Sequence, residues 1–175
     1  MADNISISKA APEDSGRRWY VAHTKPRCEK KLLDHCLRDR IAATLPCYPS
    51  AHKYRGKTVV FQKPLFPGYV FLQIEPRLSS VIRQSDYVAN LLTVHDQATL
   101  EQQLAEIQLA LESGLEVHLA PTIGEGMRVR IKAGPLRGVE GWVEKRHGVD
   151  TVLLRLDFIS QAAAVRLGAD VLEPV

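Results

Sequence analysis

The segment that most restricts how this chain can fold runs from Pro64 to Ile74 and has the sequence PLFPGYVFLQI. A proline–glycine pair, Pro67-Gly68, leads directly into aromatic and β-branched residues, and nothing polar interrupts the run before Gln73. Proline cannot donate a ladder hydrogen bond and glycine tolerates unusual backbone angles, so this pair fixes where a strand starts. A continuous apolar run is typical of a central strand buried on both faces. We predict such a strand immediately after the turn.

Length and composition are those of an ordinary globular protein with one or two domains. The chain has 175 residues, of which 45% are hydrophobic and 25% charged, and no apolar run approaches the ~20 residues that span a bilayer. Residues 1–16 are polar and lack the apolar core of a secretory signal, so we expect a disordered leader and a cytoplasmic location. Cys28, Cys36 and Cys47 contain no CxxC spacing. We expect small buried residues, with no disulfide, metal or cofactor.

Positive charge is concentrated in one block of the chain. The net charge is only +3, yet residues 17–72 contain twelve Lys and Arg against three acids. Residues 73–122 contain two Arg against seven acids, and residues 123–175 contain eight bases against seven acids. A localised basic patch attracts polyanions within about one Debye length, whatever the total charge. The first block is therefore the candidate nucleic-acid-binding region.

Hydrophobic periodicity predicts an α+β domain for residues 17–113. Its predicted elements are a strand at 17–23, a helix at 26–40, an extended stretch at 42–50, a hairpin at 52–61 with its tip at 55–57, the strand after Gly68, a short helix at 79–83, a strand at 87–94 and a helix from Thr99 to Gly114. The buried stripe predicted for the last helix is Leu100, Leu104, Ile107 and Leu111. This order of elements predicts helices packed on an antiparallel sheet.

The predicted helix from Pro26 to Arg40 has a strongly basic side. Proline suits the first turn of a helix, where its missing N–H costs nothing. The predicted buried stripe is Leu32, Leu33, Cys36 and Leu37. The cations of the basic side are Arg27, Lys31, His35 and Arg38, with Lys25 and Lys30 at its edge. The helix lacks the acid–base pairs at i and i+4 that a merely solvated face usually has, which favours contact with phosphates or bases over simple solvation.

The last fifty residues are dominated by short strands and glycines. Five strands are predicted, at 127–131, 142–145, 151–158, 165–167 and 169–174. Short strands in such number predict a small closed β-barrel, because closure removes unpaired edges. The stretch Gln161–Ala164 favours a helix and conflicts with this pattern. The predicted organisation is a leader at 1–16, the α+β domain at 17–113, a linker at 114–123 and the barrel at 124–175.

Motifs in both predicted domains resemble those of one protein family. Residues 127–143, MRVRIKAGPLRGVEGWV, resemble the KOW motif, V-x-V/I-x-x-G-P-x-x-G-x-x-G-x-V. WYV at 19–21, EKK at 29–31 and PLFPGYV at 64–70 resemble the N-terminal (NGN) domain of NusG-type transcription elongation factors. The resemblance implies an NGN domain followed by a five-stranded SH3-like KOW barrel. Residues 86–93, DYVANLLT, depart from the housekeeping pattern and are similar to the operon-directed RfaH-like antiterminators, which argues against a general termination role through Rho.

The resemblance implies an accessory subunit of RNA polymerase and not an enzyme. In the family, the L-F-P-G-Y strand faces an apolar concavity that docks the clamp helices of the β′ subunit. The implied polymerase-binding residues are Tyr20, Phe66, Tyr69 and Phe71, with Ser79 and Ser80 where the family contacts the gate loop of the β subunit. The residues implied to contact the exposed non-template DNA strand are Lys25, Arg27, Lys31, His35 and Arg83.

The implied mechanism is a bridge across the polymerase cleft that suppresses pausing and termination. A KOW barrel on a flexible linker would recruit a second partner, such as ribosomal protein S10 or Rho. We expect a monomer without membrane association. The main alternative is a KOW-type RNA-binding or ribosome-associated protein, which would carry its basic patch on the barrel. An enzyme would need a catalytic constellation, but the six histidines are scattered without HxH or HExxH spacing.

Overall fold

The computed structural model describes residues 16–120, 126–146, 149–167 and 171–175. The chain forms two compact units. One holds the described residues up to Pro46 together with Phe66–Gln97, and the other holds Cys47–Leu65 and the described residues from Ala98 onward. The predicted leader lies outside the described residues except for Gly16. Within these ranges, no helix is both long and apolar enough to cross a bilayer.

The described part of the chain contains twelve strands and three α-helices. In chain order they are β1 (Arg18–Thr24), α1 (Glu29–Arg38), β2 (Ala42–Thr44), β3 (Cys47–Tyr54), β4 (Lys57–Pro64), β5 (Tyr69–Ile74), α2 (Ser79–Arg83), β6 (Val88–Thr93), α3 (Gln97–Glu112), β7 (Val117–Ala120), β8 (Met127–Ile131), β9 (Glu140–Arg146), β10 (Val149–Leu156), β11 (Gln161–Arg166) and β12 (Leu172–Pro174). Short 3-10 turns at Pro76–Leu78 and Asp157–Ile159 complete the order. All the strand pairings described are antiparallel, which confirms the predicted α+β class.

The sheet of the first unit is built around β5, as predicted from the apolar run. Its strand order is β2-β5-β1-β6, so β5 has a hydrogen-bonded neighbour on each side. Val70, Phe71 and Leu72 are consecutive and fully buried. Because consecutive side chains in a strand point to opposite faces, β5 is covered on both faces of the sheet. Helices α1 and α2 contact strands of the same sheet.

The register divides the side chains of this sheet between two faces. Tyr69 pairs with His23 and Phe71 with Val21, whereas Val70 pairs with Ala22 and Leu72 with Tyr20. Directly paired residues share a face. One face therefore carries Val21, His23, Tyr69, Phe71 and Asn90, and the other carries Tyr20, Ala22, Val70, Leu72 and Leu91. The residues implied to contact a polymerase thus divide between both faces, with Tyr69 and Phe71 on the first.

Helix α1 begins three residues later than predicted. It starts at Glu29 and not at Pro26, because Arg27 has a φ of 60°. That left-handed conformation cannot be part of a right-handed helix. The buried stripe contains Leu32, Leu33 and Cys36 as predicted, but Leu37 is 41% exposed and its predicted burial was wrong. Leu37 lies about 100° around the helix from Cys36, at the edge of the stripe.

Cys36 supplies the first testable prediction. Burial, with a smaller contribution from Asp39, raises the pKa of the Cys36 thiol to about 11. Only the thiolate is a nucleophile, so iodoacetamide at pH 8 should label Cys36 much more slowly than the half-buried Cys28. The folded pKa lies above the unfolded value, so the stability contributed by the protonated thiol is present below pH ~9 and lost as the pH rises through the folded pKa. Mass spectrometry of native and denatured samples measures the labelling; equal native rates would contradict the assignment.

Helix α3 begins at Gln97, two residues before the predicted cap Thr99. The Gln97 side chain accepts a hydrogen bond from Trp19 N at 2.6 Å and donates to the carbonyl oxygens of Trp19 and Val94 at 3.0 and 2.8 Å. The start of the helix is therefore fixed by a tertiary contact that local propensity does not contain. Its buried residues are Leu100, Leu104, Ile107 and Ala110, so Ala110 takes the position predicted for Leu111.

The second unit contains a two-stranded hairpin, β3-β4, and a six-stranded sheet of order β12-β8-β9-β10-β11-β7. Strands β8 to β12 correspond to the five predicted strands. The sixth strand, β7, pairs with β11 and takes up four residues of the predicted linker; residues 121–123 of that linker lie outside the described residues. The closure of the sheet into a barrel and the predicted domain boundaries at 113 and 123 stay predictions.

Tertiary packing overrides a local helix preference in β11. Ala162, Ala163 and Ala164 are fully buried, and they pair with β10 on one side and β7 on the other. Small side chains suit this position because the strand has a neighbour at each edge and no solvent contact. The helix-favouring stretch at 161–164 is therefore a strand.

Candidate functional site

A tight turn presents the first aromatic residue of β5. The backbone N–H of Tyr69 donates to the carbonyl of Phe66 at 3.2 Å. Gly68 has a φ of 86°, a conformation that side-chain-bearing residues rarely adopt, which explains the glycine in the L-F-P-G-Y motif. Strand β1 and helix α1 both hold Gly68 by hydrogen bonds. Thr24 N of β1 donates to Gly68 O at 2.8 Å, and Gly68 N donates to Glu29 Oε1 of α1 at 2.8 Å. The turn is thus fixed both to β1 and to the first turn of α1.

The turn and β1 together present a stacked pair of rings. The rings of His23 and Tyr69 have centroids 5.3 Å apart and an interplanar angle of 27°. His23 is exposed and Tyr69 is half-buried, and the neighbouring Asn90 on the same face is also exposed. The polar–aromatic surface formed by these three residues is called the stacked-ring surface below. His23 was not singled out from the sequence, although its register opposite Tyr69 follows once β1 and β5 are paired.

The other aromatic residues implied to contact a polymerase lie inside the unit. Phe66 and Phe71 are fully buried, with ring centroids 6.4 Å apart at an interplanar angle of 83°. This edge-to-face geometry is the arrangement that buried aromatic pairs prefer. Tyr20 lies on the opposite face of the sheet and is 8% exposed. In this conformation only Tyr69 of the four aromatic candidates offers substantial ring surface to a partner.

Most of the predicted nucleic-acid-binding cations lie on the surface. Lys25, Arg27, Lys31 and Arg83 are exposed, and His35 is half-buried. Tyr87 connects two members of this set: its carbonyl accepts a hydrogen bond from Lys25 N at 2.9 Å, and its ring lies edge-on to His35 with centroids 6.0 Å apart. Tyr87 was assigned only to a strand from the sequence, and nothing local indicated this position.

One i,i+4 contact with an acid is present at the end of α1, where the sequence predicted none. His35 Nε2 lies 3.6 Å from Asp39 Oδ2, an i,i+4 pair. The prediction missed it because histidine counts as neutral in a formal charge count. Lys25, Arg27 and Lys31 precede this pair, so the exposed charge is strongest around the start of the helix.

The predicted gate-loop residues occupy the start of α2. Ser79 is half-buried and Ser80 is exposed. The next residue, Val81, is 61% exposed. An apolar side chain this exposed beside two hydroxyl groups extends the surface that the sequence assigned to Ser79 and Ser80 alone.

Three arginines of the C-terminal sheet pair with acids. Arg128 Nη2 and Arg130 Nη2 each lie 2.6 Å from a carboxylate oxygen of Glu140. The hydrogen bond from Arg130, followed by the charges of both arginines, holds the pKa of Glu140 below its usual range. Arg166 pairs with Glu116 at 2.8 Å. This pairing weakens the alternative in which the C-terminal strands carry the main nucleic-acid-binding surface.

The residues that the structure describes contain no group of three or more His, Cys, Asp or Glu side chains that could hold a metal ion.

Comparison with known proteins relates the chain to transcription factors. Residues 17–109 match the family model described as transcription termination factor nusG. The transcription termination/antitermination protein NusG of Rickettsia felis is 32% identical over 82 residues, which cover 41% of each chain. The protein of the same name from Rickettsia typhi is 25% identical over 150 residues, covering 77% of this chain and 78% of the relative.

The alignment with a chain of the crystal structure described as the MjSpt4:Spt5 complex, conformation B, covers 90% of this chain and 96% of that chain, with 17% sequence identity and a TM-score of 0.27. A TM-score this low supports no conclusion. The family model, in contrast, covers more than half of the chain, and its match contains the L-F-P-G-Y turn, the stacked-ring surface and helix α1. The chain therefore belongs to the NusG family of transcription termination factors.

Proposed function

We propose that this protein is a transcription elongation and antitermination factor that binds RNA polymerase, bridges its cleft and suppresses pausing and termination. The observation that carries the proposal is the stacked-ring surface, which is anchored by the turn of the family motif and linked through Glu29 to the cation-bearing helix α1. The similarity of residues 86–93 to RfaH-like factors favours a role at particular operons over a general role through Rho.

The stacked-ring surface is the proposed contact to the β′ clamp helices. An aromatic side chain buries ~150–250 Å² when fully covered, which corresponds to very roughly 1.5–3 kcal/mol before the costs of association. Tyr69 and His23 supply this surface directly. Phe66 and Phe71 support it from inside the unit, because their packed rings hold the strand and the turn in place. Ser79, Ser80 and Val81 form the proposed contact to the gate loop of the β subunit.

The cations at the start of α1 are the proposed contact to the non-template DNA strand. Lys25, Arg27 and Lys31 are exposed and available for phosphates, and Tyr87 and His35 contribute rings beside them. Recognition of single strands combines cations for the backbone with flat groups for the bases. Each phosphate contact should add about −0.7 to the slope of log affinity against log salt.

The mechanism requires only a difference in affinity between two states of the polymerase. A module that contacts both sides of the cleft binds the closed, elongating state better than the open one and shifts the population toward it. Pausing and termination then become less frequent. The C-terminal strands, closed into a KOW barrel, are the proposed docking module for a second partner such as ribosomal protein S10.

Transcription with purified polymerase tests this function. The full chain should co-purify with core RNA polymerase and increase read-through at a terminator. The double variant His23→Ala with Tyr69→Ala should bind roughly 30-fold more weakly, since truncation of an interface hot spot typically costs 2 kcal/mol or more, and should lose its effect on read-through. Leu109→Ala, which removes a 41% exposed apolar side chain of α3, is the matched control.

Two results would contradict the proposal in different ways. Unchanged polymerase binding by the double variant would show that the stacked-ring surface is not the docking site. Binding of the full chain without any change in pausing or read-through would exclude the antitermination function while leaving the docking site intact.

A further inference from the structure

The β3-β4 hairpin is a rigidly defined ribbon. Its register pairs eight residues of each strand, from Cys47 opposite Pro64 to Tyr54 opposite Lys57. The two loop residues, Arg55 and Gly56, have φ values of 49° and 77°. Two positive φ angles in a two-residue loop are the signature of a type I′ turn, whose twist matches that of paired strands. The turn therefore fixes which side chains share each face of the ribbon.

One face of the ribbon exposes two aromatic side chains to solvent. The register puts Ser50, His52, Tyr54, Lys57, Val59, Phe61 and Lys63 on the same face. Tyr54 is 64% exposed and Phe61 51% exposed. Within the described part of the chain, the ribbon has no third strand, and Tyr54 and Phe61 are more exposed than the other aromatic residues. An exposed apolar face of this kind marks an interaction surface.

The rings are interleaved with cations. The His52 ring lies 5.9 Å from that of Phe61, and the Arg55 guanidinium lies 5.3 Å from the centre of the Tyr54 ring. Lys63 Nζ lies 2.7 Å from His52 Nε2. The hairpin sequence from Cys47 to Pro64 contains four Lys and Arg and no acidic residue. Its partner must therefore be anionic along its length and must offer flat or apolar groups.

A single-stranded nucleic acid meets both requirements. Phe61 pairs with Ser50, which lies four positions along the strand from Tyr54, so the two rings are separated by about 13 Å along the ribbon. This is about four times the ~3.4 Å rise per nucleotide of a stacked strand, so a single strand a few nucleotides long can lay bases over both Tyr54 and Phe61. Bases stack on aromatic rings while cations follow the phosphates. A duplex keeps its base faces stacked inside and cannot use the rings in this way. An acidic protein surface could use the cations but has no need of the ring faces.

We propose that the β3-β4 hairpin binds single-stranded nucleic acid by stacking bases on Tyr54 and Phe61 and by contacting phosphates through Arg55, Lys57 and Lys63. This site is separate from the cations of α1 and does not depend on polymerase binding. DNA and RNA share the chemistry that the face recognises, so the source of the strand is decided by experiment.

Fluorescence anisotropy of the full chain with labelled oligothymidylate, oligouridylate and a DNA duplex tests the proposal. Tyr54→Ala and Phe61→Ala should each weaken binding to a single strand by roughly 5- to 150-fold, the range for loss of one stacked base. Lys57→Gln with Lys63→Gln should reduce the salt slope by about 0.7 for each phosphate that is no longer bound. Because these side chains are exposed or project from the ribbon, the variants should keep the circular dichroism spectrum of the parent chain. Leu109→Ala, which removes an exposed apolar side chain of α3, is the control for loss of an exposed apolar residue elsewhere.

The variant Lys25→Ala, Arg27→Ala, Lys31→Ala separates this site from the proposed DNA contact of α1. Loss of single-strand binding in the hairpin variants supports the proposal, whether or not the helix variant also loses it. Loss in the helix variant alone overturns the hairpin site and leaves the proposed function standing. If the hairpin variants keep single-strand affinity but lose retention on RNA polymerase, the face binds a protein and the proposal is wrong. The stronger of the oligothymidylate and oligouridylate signals identifies DNA or RNA as the ligand.

Discussion

Replacing Phe71 by alanine is expected to lower the free energy of unfolding by about 3–5 kcal/mol, the usual cost of truncating a buried aromatic residue. The ring is fully buried at the centre of the first-unit sheet and packs edge to face with Phe66. Truncation therefore loses the free energy gained by burying the Phe71 ring away from water, and it also loses the packing of that ring against Phe66. Urea denaturation followed by circular dichroism measures the change, with an unchanged m-value as the sign that the unfolding reaction is the same.

Tyr69→Ala is the matched control, because Tyr69 lies two residues away on the same face but is only half-buried. It should cost roughly 1 kcal/mol while still weakening polymerase binding. If Phe71→Ala instead leaves stability within about 1 kcal/mol of the parent and abolishes polymerase binding, the ring contacts the partner directly and the supporting role is wrong. A loss of binding in Phe66 or Phe71 variants is informative only together with this stability measurement.

Replacing Gly141 by alanine is expected to destabilise the C-terminal sheet by about 1–3 kcal/mol, the usual cost of overpacking. A Cβ at this position would lie 2.5 Å from Val152 Cγ1 and 2.8 Å from the carbonyl oxygen of Leu153. The second contact is with backbone, so the β9–β10 pairing itself must move. The close approach of a neighbouring strand thus explains Gly141, the third glycine of the segment that resembles the KOW motif.

A double-mutant cycle with Val152→Ala tests that explanation of Gly141. Removing Cγ1 of Val152 relieves one of the two clashes, so the combined cost should be smaller than the sum of the single costs. Thermal denaturation of the four proteins gives the coupling. Additive costs, or a Gly141→Ala variant as stable as the parent, would show that the strands adjust freely at this point.

Helices and strands with an unambiguous hydrophobic pattern could be predicted from the sequence, but the residues at which they begin could not. Val70, Phe71 and Leu72 are buried on both faces of the sheet, as their continuous apolar pattern indicates, so the sequence predicts β5 directly. The hairpin tip is equally local, because Gly56 marks the turn between two runs of strand-forming residues. The start of α1 depends instead on the left-handed conformation of Arg27, and the start of α3 depends on Gln97 meeting the backbone of Trp19. Both are tertiary outcomes without a local signature.

The candidate site was predictable as a region and not as a set of side chains. The family motif indicates the turn, and the charge count indicates helix α1. Sequence patterns cannot distinguish Tyr69, whose ring remains accessible, from Phe66 and Phe71, whose rings are enclosed. The alternation along β5 separates faces but does not say which face is covered. His23 and Tyr87 enter the surface through pairing with distant residues, which no local window contains.

The hydrogen bond from Gly68 N to Glu29 Oε1 has a consequence for binding energetics. It joins the turn that presents Tyr69 to the first residue of α1, beside the cations that we propose contact DNA, so the two proposed contact regions share one restrained backbone. Ordering either region by its partner reduces the conformational entropy that remains to be lost at the other. Under the proposed function we therefore expect polymerase and non-template DNA to bind with positive cooperativity, each raising the affinity for the other by the same factor, as thermodynamic reciprocity requires.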